Sequence, residues 1–240
     1  MAVAWSVWSK RTLFCKKFEG TKYEISRSIK MEEIHDYIVR SRTTILEIVE
    51  NRGYNVDTYK NVSPVEVHNF ARTNVDLLQI KALRKEGGPA PMESILVLYW
   101  LEPMKNKLEG EIRRIVDEEG FDPVKQELVI LLSEPPHDAF ALQAAKQWSA
   151  HKLRVGFFHL KQIISNPAKH VMVPPHRKLT ESESEKVMKK LKLKSKAELP
   201  HIKYHDMQSR VLGLVPGDIV EITRPSETMG EYTLFRICTV

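Results

Sequence analysis

Two histidine pairs have the spacing in this 240-residue chain that comes closest to metal chemistry. His201 and His205 lie four positions apart, so on a helix their imidazoles would share one face, as zinc ligands do. Pro200 precedes the pair, however, and no carboxylate lies between them to act as a base. His170 and His176 flank a Val-Pro-Pro run that stiffens the backbone. We therefore expect no metal at either pair, and packing or hydrogen bonding instead.

The sequence contains no Gly-rich phosphate loop, no nucleophile elbow and no set of kinase motifs. It has two cysteines, Cys15 and Cys238, too few for a disulfide framework or a cysteine metal site and typical of a reducing compartment. No apolar run approaches the roughly 20 residues of a membrane span. We therefore predict a protein without a cofactor, a metal, a membrane partner or a small-molecule substrate.

Lysine is concentrated in one short run of the C-terminal part. Such a run is usually a solvated face, although clustered lysines also bind phosphates. The formal net charge of +6 and the pI near 9.2 are compatible with a nucleic-acid partner. A free-standing basic nucleic-acid-binding protein is therefore one alternative function. The six lysines are Lys186, Lys189, Lys190, Lys192, Lys194 and Lys196.

The last stretch, residues 217–238, predicts two strands with period-2 alternation joined by a six-residue connection. Pro225 cannot donate to a ladder and so marks the end of the first strand, while Gly230 supplies a positive φ. A long polar connection is usually only solvated, and composition leaves that alternative open. The connection also carries groups suited to contacting another molecule, namely Arg224, Glu227 and Thr228.

The rest of the chain must position these groups. Strands that alternate with helices predict an α/β unit over residues 31–165, and a polar, proline-containing connector at 166–169 marks a boundary. We predict helices at 32–52, from Ser63, at 105–119, from Asp138, from Thr180 and from Asp206 to Gly213, with strands at 75–80, 94–100, 127–132 and 153–158. Capping boxes at Ser63 and Thr180 support two of these helices.

Three blocks in about seventy residues resemble one protein family in order and spacing. The family is the fifth subunit shared by the eukaryotic nuclear RNA polymerases, whose C-terminal half corresponds to one of the small subunits of archaeal RNA polymerase. The blocks are Arg224-Pro225-Ser226-Glu227-Thr228 followed by Gly230 and Tyr232, the run His170-Val171-Met172-Val173-Pro174-Pro175-His176, and Leu199-Pro200 followed by Asp206, Arg210 and Gly213.

The resemblance implies an α/β N-terminal jaw domain of restriction-endonuclease-like topology at 31–165 and a small α+β assembly domain at 166–240. It implies a non-catalytic structural subunit that docks on the largest polymerase subunit and forms the lower jaw near downstream DNA. Arginine and tyrosine are frequent interface anchors. The implied interface residues are His170, Pro174, His176, Arg210, Arg224, Glu227, Thr228, Gly230, Tyr232 and Arg236. For Pro225 and Gly230, shaping of the hairpin is the favoured role.

The loop that the resemblance brings near DNA contains Pro135, Pro136, His137 and Ala139. Here the sequence departs from the family, because Glu134 and Asp138 are acidic and repel phosphates. The endonuclease-like topology also raises the alternative of a magnesium-dependent nuclease that uses Asp76 on the first jaw strand. The next strand, residues 95–100, holds no acidic residue, and no Glu-x-Lys follows at strand spacing.

Residues 1–30 form a basic extension with Trp5 and Trp8 and no acidic residue before Glu19. Such a start can resemble an organelle transit peptide, but the resemblance favours the nucleus. Because the family generally lacks this extension, we expect a divergent version or a paralogue dedicated to one polymerase, nucleolar if that is polymerase I.

Overall fold

The computed structural model describes residues 31–102, 107–117, 121–135 and 137–240. The predictions for the extension of residues 1–30, for Cys15 and for Pro136 lie outside these residues. None of the helices in the described part of the chain is long and apolar enough to span a membrane.

The first part of the described chain folds around a four-stranded mixed sheet. Its elements are α1 (residues 31–51), α2 (Asp57–Lys60), α3 (Pro64–Thr73), β1 (Ile80–Leu83), β2 (Ser94–Trp100), α4 (Leu108–Asp117), β3 (Gln126–Leu132), α5 (Asp138–His151) and β4 (Val155–His159). The strand order is β1-β2-β3-β4, with β1 antiparallel to β2 and the other three strands parallel. Two β–α–β crossovers therefore confirm the predicted α/β class.

Local sequence signals predicted most of these elements, with two exceptions. The predicted strand at 75–80 is wrong, because Val75–Leu78 is a 3-10 helix and β1 begins only at Ile80. The side chain of Asn74 accepts a hydrogen bond from the amide of Asp76 at 2.9 Å, which favours a turn over a ladder. The predicted cap of α5 is also wrong by one residue, since the ring of His137, not Asp138, caps the helix.

The second part of the chain builds another four-stranded sheet. Its elements are β5 (His176–Lys178), α6 (Glu181–Lys190), β6 (His201–Lys203), α7 (Met207–Leu212), β7 (Ile219–Ser226) and β8 (Gly230–Thr239), and the strand order is β5-β7-β8-β6. The capping box at Thr180, the cap at Asp206 and the left-handed end at Gly213 are confirmed.

The terminal hairpin is tighter than the sequence predicted. β7 continues through Pro225 to Ser226, and only residues 227–229 connect it to β8, so the six-residue connection is wrong. β5 pairs with β7 no further than Ile222. Beyond that level no strand among the described residues pairs with this edge of β7, and an edge is the position where a strand tolerates proline.

Alternate residues of the first sheet enter two different hydrophobic clusters. Val129 and Leu131 of β3 pack with α1 and α3 on one face, while Leu128 and Ile130 pack with α4 and α5 on the other. The second cluster also contains residues of the second sheet, among them Ile222. The two parts of the chain therefore share a continuous core.

We expect Gly213→Ala to lower the free energy of unfolding by about 1–2 kcal/mol. Gly213 has a φ of 63°, and an added Cβ would lie 3.2 Å from Oε1 of Glu127 and 3.3 Å from Cζ of Arg52. Urea unfolding measures the loss. The matched control is Gly110→Ala in α4, where a Cβ meets nothing within 4 Å and stability should rise by about 0.5–1 kcal/mol. An equal response of the two variants would contradict the prediction.

Stability should also fall as the pH drops below the ordinary histidine pKa of 6.5. Burial lowers the pKa of His35, with help from the neighbouring His68 and Arg72, and burial likewise lowers the pKa of His159. Below pH 6.5 the unfolded chain therefore binds more protons than the folded chain. The folded state loses stability as the pH falls from 6.5 to the lowered pKa values of the two histidines. Urea unfolding at about pH 7.5 and about pH 5.5 measures the slope. His35→Leu should reduce this slope, and the double variant His35→Leu/His159→Leu should reduce it further.

Candidate functional site

The outer half of the β7–β8 hairpin projects from the fold, and its side chains are exposed. Arg224 pairs directly with Tyr232 across the two strands, so both side chains lie on the same face of the hairpin. That face continues inward to Ile222 and Leu234, which belong to or pack against the second hydrophobic cluster. Tyr232 is 46% exposed and Met229, at the tip, is 71% exposed. The hairpin therefore carries an uncovered apolar and cationic surface.

The turn at the tip depends on local polar contacts and one glycine. Ser226 Oγ lies 3.4 Å from Oγ1 of Thr228 and accepts a hydrogen bond from the amide of Met229 at 3.4 Å. Gly230 has a φ of 76°, which confirms its predicted positive φ, and the space beside its Cα is open. Glu227 is exposed in the same turn.

The segment of residues 170–176 lies beside the base of this hairpin, because the carbonyl of Pro175 accepts a hydrogen bond from the amide of Thr223 at 3.1 Å. His170 folds the segment into a turn: its Nδ1 accepts from the amide of Met172 at 3.2 Å. Val171 is 96% exposed and Met172 is 82% exposed. The segment and the hairpin, about fifty residues apart in sequence, thus meet in space with exposed apolar groups on both.

His176 is held within the same segment. Its Nδ1 lies 2.6 Å from the carbonyl oxygen of Pro174, and since a carbonyl only accepts, Nδ1 carries the proton. The contact orients the ring at the start of β5, with Pro174 half-buried against the fold. The structure therefore brings His170, Pro174 and His176 together with the hairpin base.

Two predicted interface arginines are engaged inside the chain. Arg210 Nη1 donates to the carbonyl of Phe157 at 2.7 Å, and burial lowers the pKa of its guanidinium. Arg236 Nη1 donates to the carbonyl of His201 at 3.0 Å. Both hold elements of the fold together, and their contact with a partner stays a prediction.

The loop before α5 caps the helix and does not present the cationic surface that binding to DNA would require. Nδ1 of His137 accepts a hydrogen bond from the amide of Ala139 at 3.1 Å. Pro135 and the neighbouring Asp138 are exposed, and Glu134 is half-buried. The described part of this loop therefore presents carboxylates, which do not favour a phosphate backbone.

The geometry does not assemble a nuclease or zinc site from the candidate residues. Asp76 is exposed on the 3-10 helix and lies outside β1, where the nuclease alternative required it. His201 is on β6 and His205 follows in a turn, so the two do not share a helical face. Among the described residues no group of three His, Cys, Asp or Glu side chains could hold a metal ion.

Cys238 is buried in the second sheet. Burial raises the pKa of its thiol to about 12, so the thiol is protonated at neutral pH.

All six lysines of the run at 186–196 are exposed or half-buried, and none of them forms an ion pair with another described residue. The helix that carries half of them is fixed to the sheet by Arg177, which bridges Glu183 and Glu221 at 2.7 Å each. This bridge and the amide of Thr180 lower the pKa of Glu183 to about 2.

Sequence reasoning missed a buried polar junction between the two parts of the chain. Arg52 Nε donates to the carbonyl of Val211 at 3.0 Å, and its other nitrogens contact the carbonyl of Arg210 and the carboxylate of Glu127. Tyr54 donates to the second oxygen of Glu127 at 3.2 Å. The only sequence signals for this junction were the positions of two charged residues, Arg52 at the end of a helix and Glu127 at the start of an apolar strand.

Comparison with known proteins assigns relatives to both parts of the chain. Residues 165–238 match the model of the RNA polymerase Rpb5 C-terminal domain. The DNA-directed RNA polymerases I, II, and III subunit rpabc1 of Dictyostelium discoideum is 28% identical over 209 residues, which are 87% of this chain and 100% of that protein. The DNA-directed RNA polymerase V subunit 5A of Arabidopsis thaliana is 27% identical over 214 residues, 87% of this chain and 90% of that protein.

An archaeal relative covers a shorter region at higher identity. The DNA-directed RNA polymerase subunit Rpo5 of Pyrococcus abyssi is 44% identical over 72 residues, 30% of this chain and 87% of that protein. The family model matches residues 165–238, and all three sequence blocks lie within them, between residues 170 and 232.

Proposed function

The chain belongs to the family of RNA polymerase subunit Rpb5, and from this premise we propose that it is a non-catalytic structural subunit of a nuclear DNA-directed RNA polymerase. The family resemblance carried by the three sequence blocks is confirmed. The observation that carries the proposal is the exposed face of the β7–β8 hairpin, which lies inside the matched residues 165–238. An exposed face that combines apolar and cationic side chains is typical of a protein–protein interaction site.

The partner of this face is proposed to be the largest polymerase subunit. Arg224 offers an exposed guanidinium that forms no ion pair with another described residue, and Tyr232 offers an aromatic ring with a hydroxyl. Both residue types are enriched in the buried centre of interfaces because they combine area with directed hydrogen bonds. Val171 and Met172 extend the surface with apolar area beside the hairpin base.

Residues 31–165 are proposed to form the lower jaw, with a restriction-endonuclease-like topology, close to downstream DNA. A mixed sheet covered by helices on both faces supports this topology, and so does the similarity of the Dictyostelium and Arabidopsis subunits over 87% of the chain each. The acidic residues Glu134 and Asp138 argue that the loop before α5 approaches DNA without binding its phosphates. Residues 166–240 then form the assembly domain.

Co-purification tests the proposal. The tagged full chain is purified from nuclear extract at moderate salt, and the accompanying proteins are identified by mass spectrometry. We expect the two largest subunits of one polymerase at near-equal stoichiometry, which would place the protein in the nucleus as a dedicated paralogue. Large subunits of several polymerases would make it a shared subunit. The absence of every polymerase subunit would overturn the proposal.

The accessible lysines at 186–196 favour a second candidate, a free-standing nucleic-acid-binding protein. Such a protein binds duplex DNA alone, and its affinity falls steeply with salt because each phosphate contact releases a counterion. Filter binding of the isolated chain at several salt concentrations distinguishes the two, since a polymerase subunit should bind DNA weakly alone.

A further inference from the structure

A cavity of about 340 Å³ lies between the two parts of the chain, away from the exposed face of the β7–β8 hairpin. Its walls come from α5, from β4 and from residues 204–215. A cavity of this size is within the range that holds a small organic molecule.

Most of the lining is apolar. Aromatic and aliphatic side chains surround the cavity from both parts of the chain, so a ligand needs a hydrophobic body to fill it. The apolar lining includes Phe140, Ala144, Val155, Phe157 and Leu214.

Three polar groups on the same lining have unused hydrogen-bonding capacity. The hydroxyl of Ser209, a residue with 0% exposure, has no hydrogen-bond partner among the described residues, and neither does the buried Nε of Arg154 or of Arg210. A buried donor left without an acceptor is costly, so an acceptor on a bound molecule would be favoured there. The same cavity is therefore lined by apolar side chains and by three residues with unpartnered donors.

The two arginines are already held in place. Arg154 Nη1 donates to the carbonyl of Gly213 at 3.3 Å, and Arg210 Nη1 donates to the carbonyl of Phe157 at 2.7 Å. Each guanidinium is therefore ordered before a ligand arrives, which reduces the entropy lost on binding.

The charge on the inner wall favours an anion. Glu127 is neutralised by its contact with Arg52, whereas neither Arg154 nor Arg210 forms an ion pair within the described residues. At the mouth, the half-buried Glu134 and the exposed Asp138 add negative charge. A long polyanion would meet these carboxylates, but a small anion can pass them and reach the arginines.

We propose that this cavity binds a small carboxylate with an apolar body, whose carboxylate meets Arg154, Arg210 and Ser209 while the body lies against the apolar walls. Guanidinium groups bind carboxylates through paired N–H donors, and the hydroxyl of serine adds a third donor. The isolated chain is sufficient to test the site, because all of the residues that line the cavity lie on this chain.

Fluorine NMR titration of the full-length chain tests the site with para-trifluoromethylbenzoate and its neutral analogue para-trifluoromethylbenzamide. We expect the benzoate to bind at least about tenfold more tightly than the benzamide, since only the anion satisfies the arginines. Arg154→Met should reduce benzoate affinity to the level of the benzamide, and Arg154→Lys should restore part of it. Equal affinity of the two probes for the wild-type chain, or no binding at about 10 mM, would overturn the proposal.

Matched variants guard against effects of misfolding. Arg236 also has a buried Nε without a partner but does not line the cavity, so Arg236→Met should leave both affinities unchanged. Ser209→Ala removes one donor with little change of volume and should weaken the benzoate alone. Ala141→Phe, on the cavity wall, should exclude both probes. Retention of benzoate binding in a folded Ala141→Phe variant would place the probe elsewhere and contradict the assignment.

Discussion

Replacing Arg52 with methionine is expected to lower the free energy of unfolding by about 3–5 kcal/mol. The guanidinium and its partner carboxylate on Glu127 are 4% and 5% exposed, so removal of one leaves the other charge buried. The substitution also leaves the backbone carbonyls of Arg210 and Val211 without the hydrogen bonds that Arg52 donates to them in the wild-type chain. Urea unfolding monitored by far-UV circular dichroism measures the loss, with the slope checked for two-state behaviour.

Two further variants separate the buried pair from a general effect of charge. Arg40→Met removes the ion pair with Asp36, whose side chains are 60% and 52% exposed, and should cost no more than about 1 kcal/mol. Adding Glu127→Leu to Arg52→Met removes the stranded carboxylate and should recover part of the loss. If Arg52→Met and Arg40→Met cost the same, the buried junction does not stabilise the fold as we infer.

The same junction shows what the sequence could not specify. Arg52 and Glu127 are 75 positions apart, and the pattern around each describes only its own helix or strand. Ser63 and Thr180, by contrast, each receive their hydrogen bonds from a residue three positions later, so their capping boxes could be predicted. Hydrogen bonds between residues three or four positions apart can be predicted from the local sequence. Contacts between helices and strands that are distant in the sequence cannot.

The hairpin lies between these two cases. The alternation around Ile222 and Leu234 predicted both strands, but their length depends on which neighbour covers each edge. Pro225 remains in β7 because the pairing of β5 with β7 ends at Ile222. The sequence around Pro225 does not predict where that pairing ends. Likewise the contact of Pro175 with Thr223 joins two of the sequence blocks in a way that only the fold reveals.

The double change Arg224→Glu and Tyr232→Ala is expected to weaken association with the largest polymerase subunit by at least about 30-fold, or roughly 2 kcal/mol. The two side chains face the same way across the hairpin, so the change reverses the charge and removes the aromatic area at one place. Because both residues are exposed, the stability of the isolated chain should change by less than about 0.5 kcal/mol. Quantitative mass spectrometry of tagged chains purified from nuclear extract measures the recovered large subunit.

The opposite face of the same hairpin supplies the control. Glu231 pairs with Pro225 across the strands, so its side chain points away from the face of Arg224 and Tyr232. Glu231 is also exposed, and Glu231→Ala should leave recovery of the large subunit within about twofold of the wild-type chain. Recovery at the wild-type level for both variants would show that this face of the hairpin is not the docking surface. An equal loss in both would contradict the assignment of docking to the face of Arg224 and Tyr232 alone.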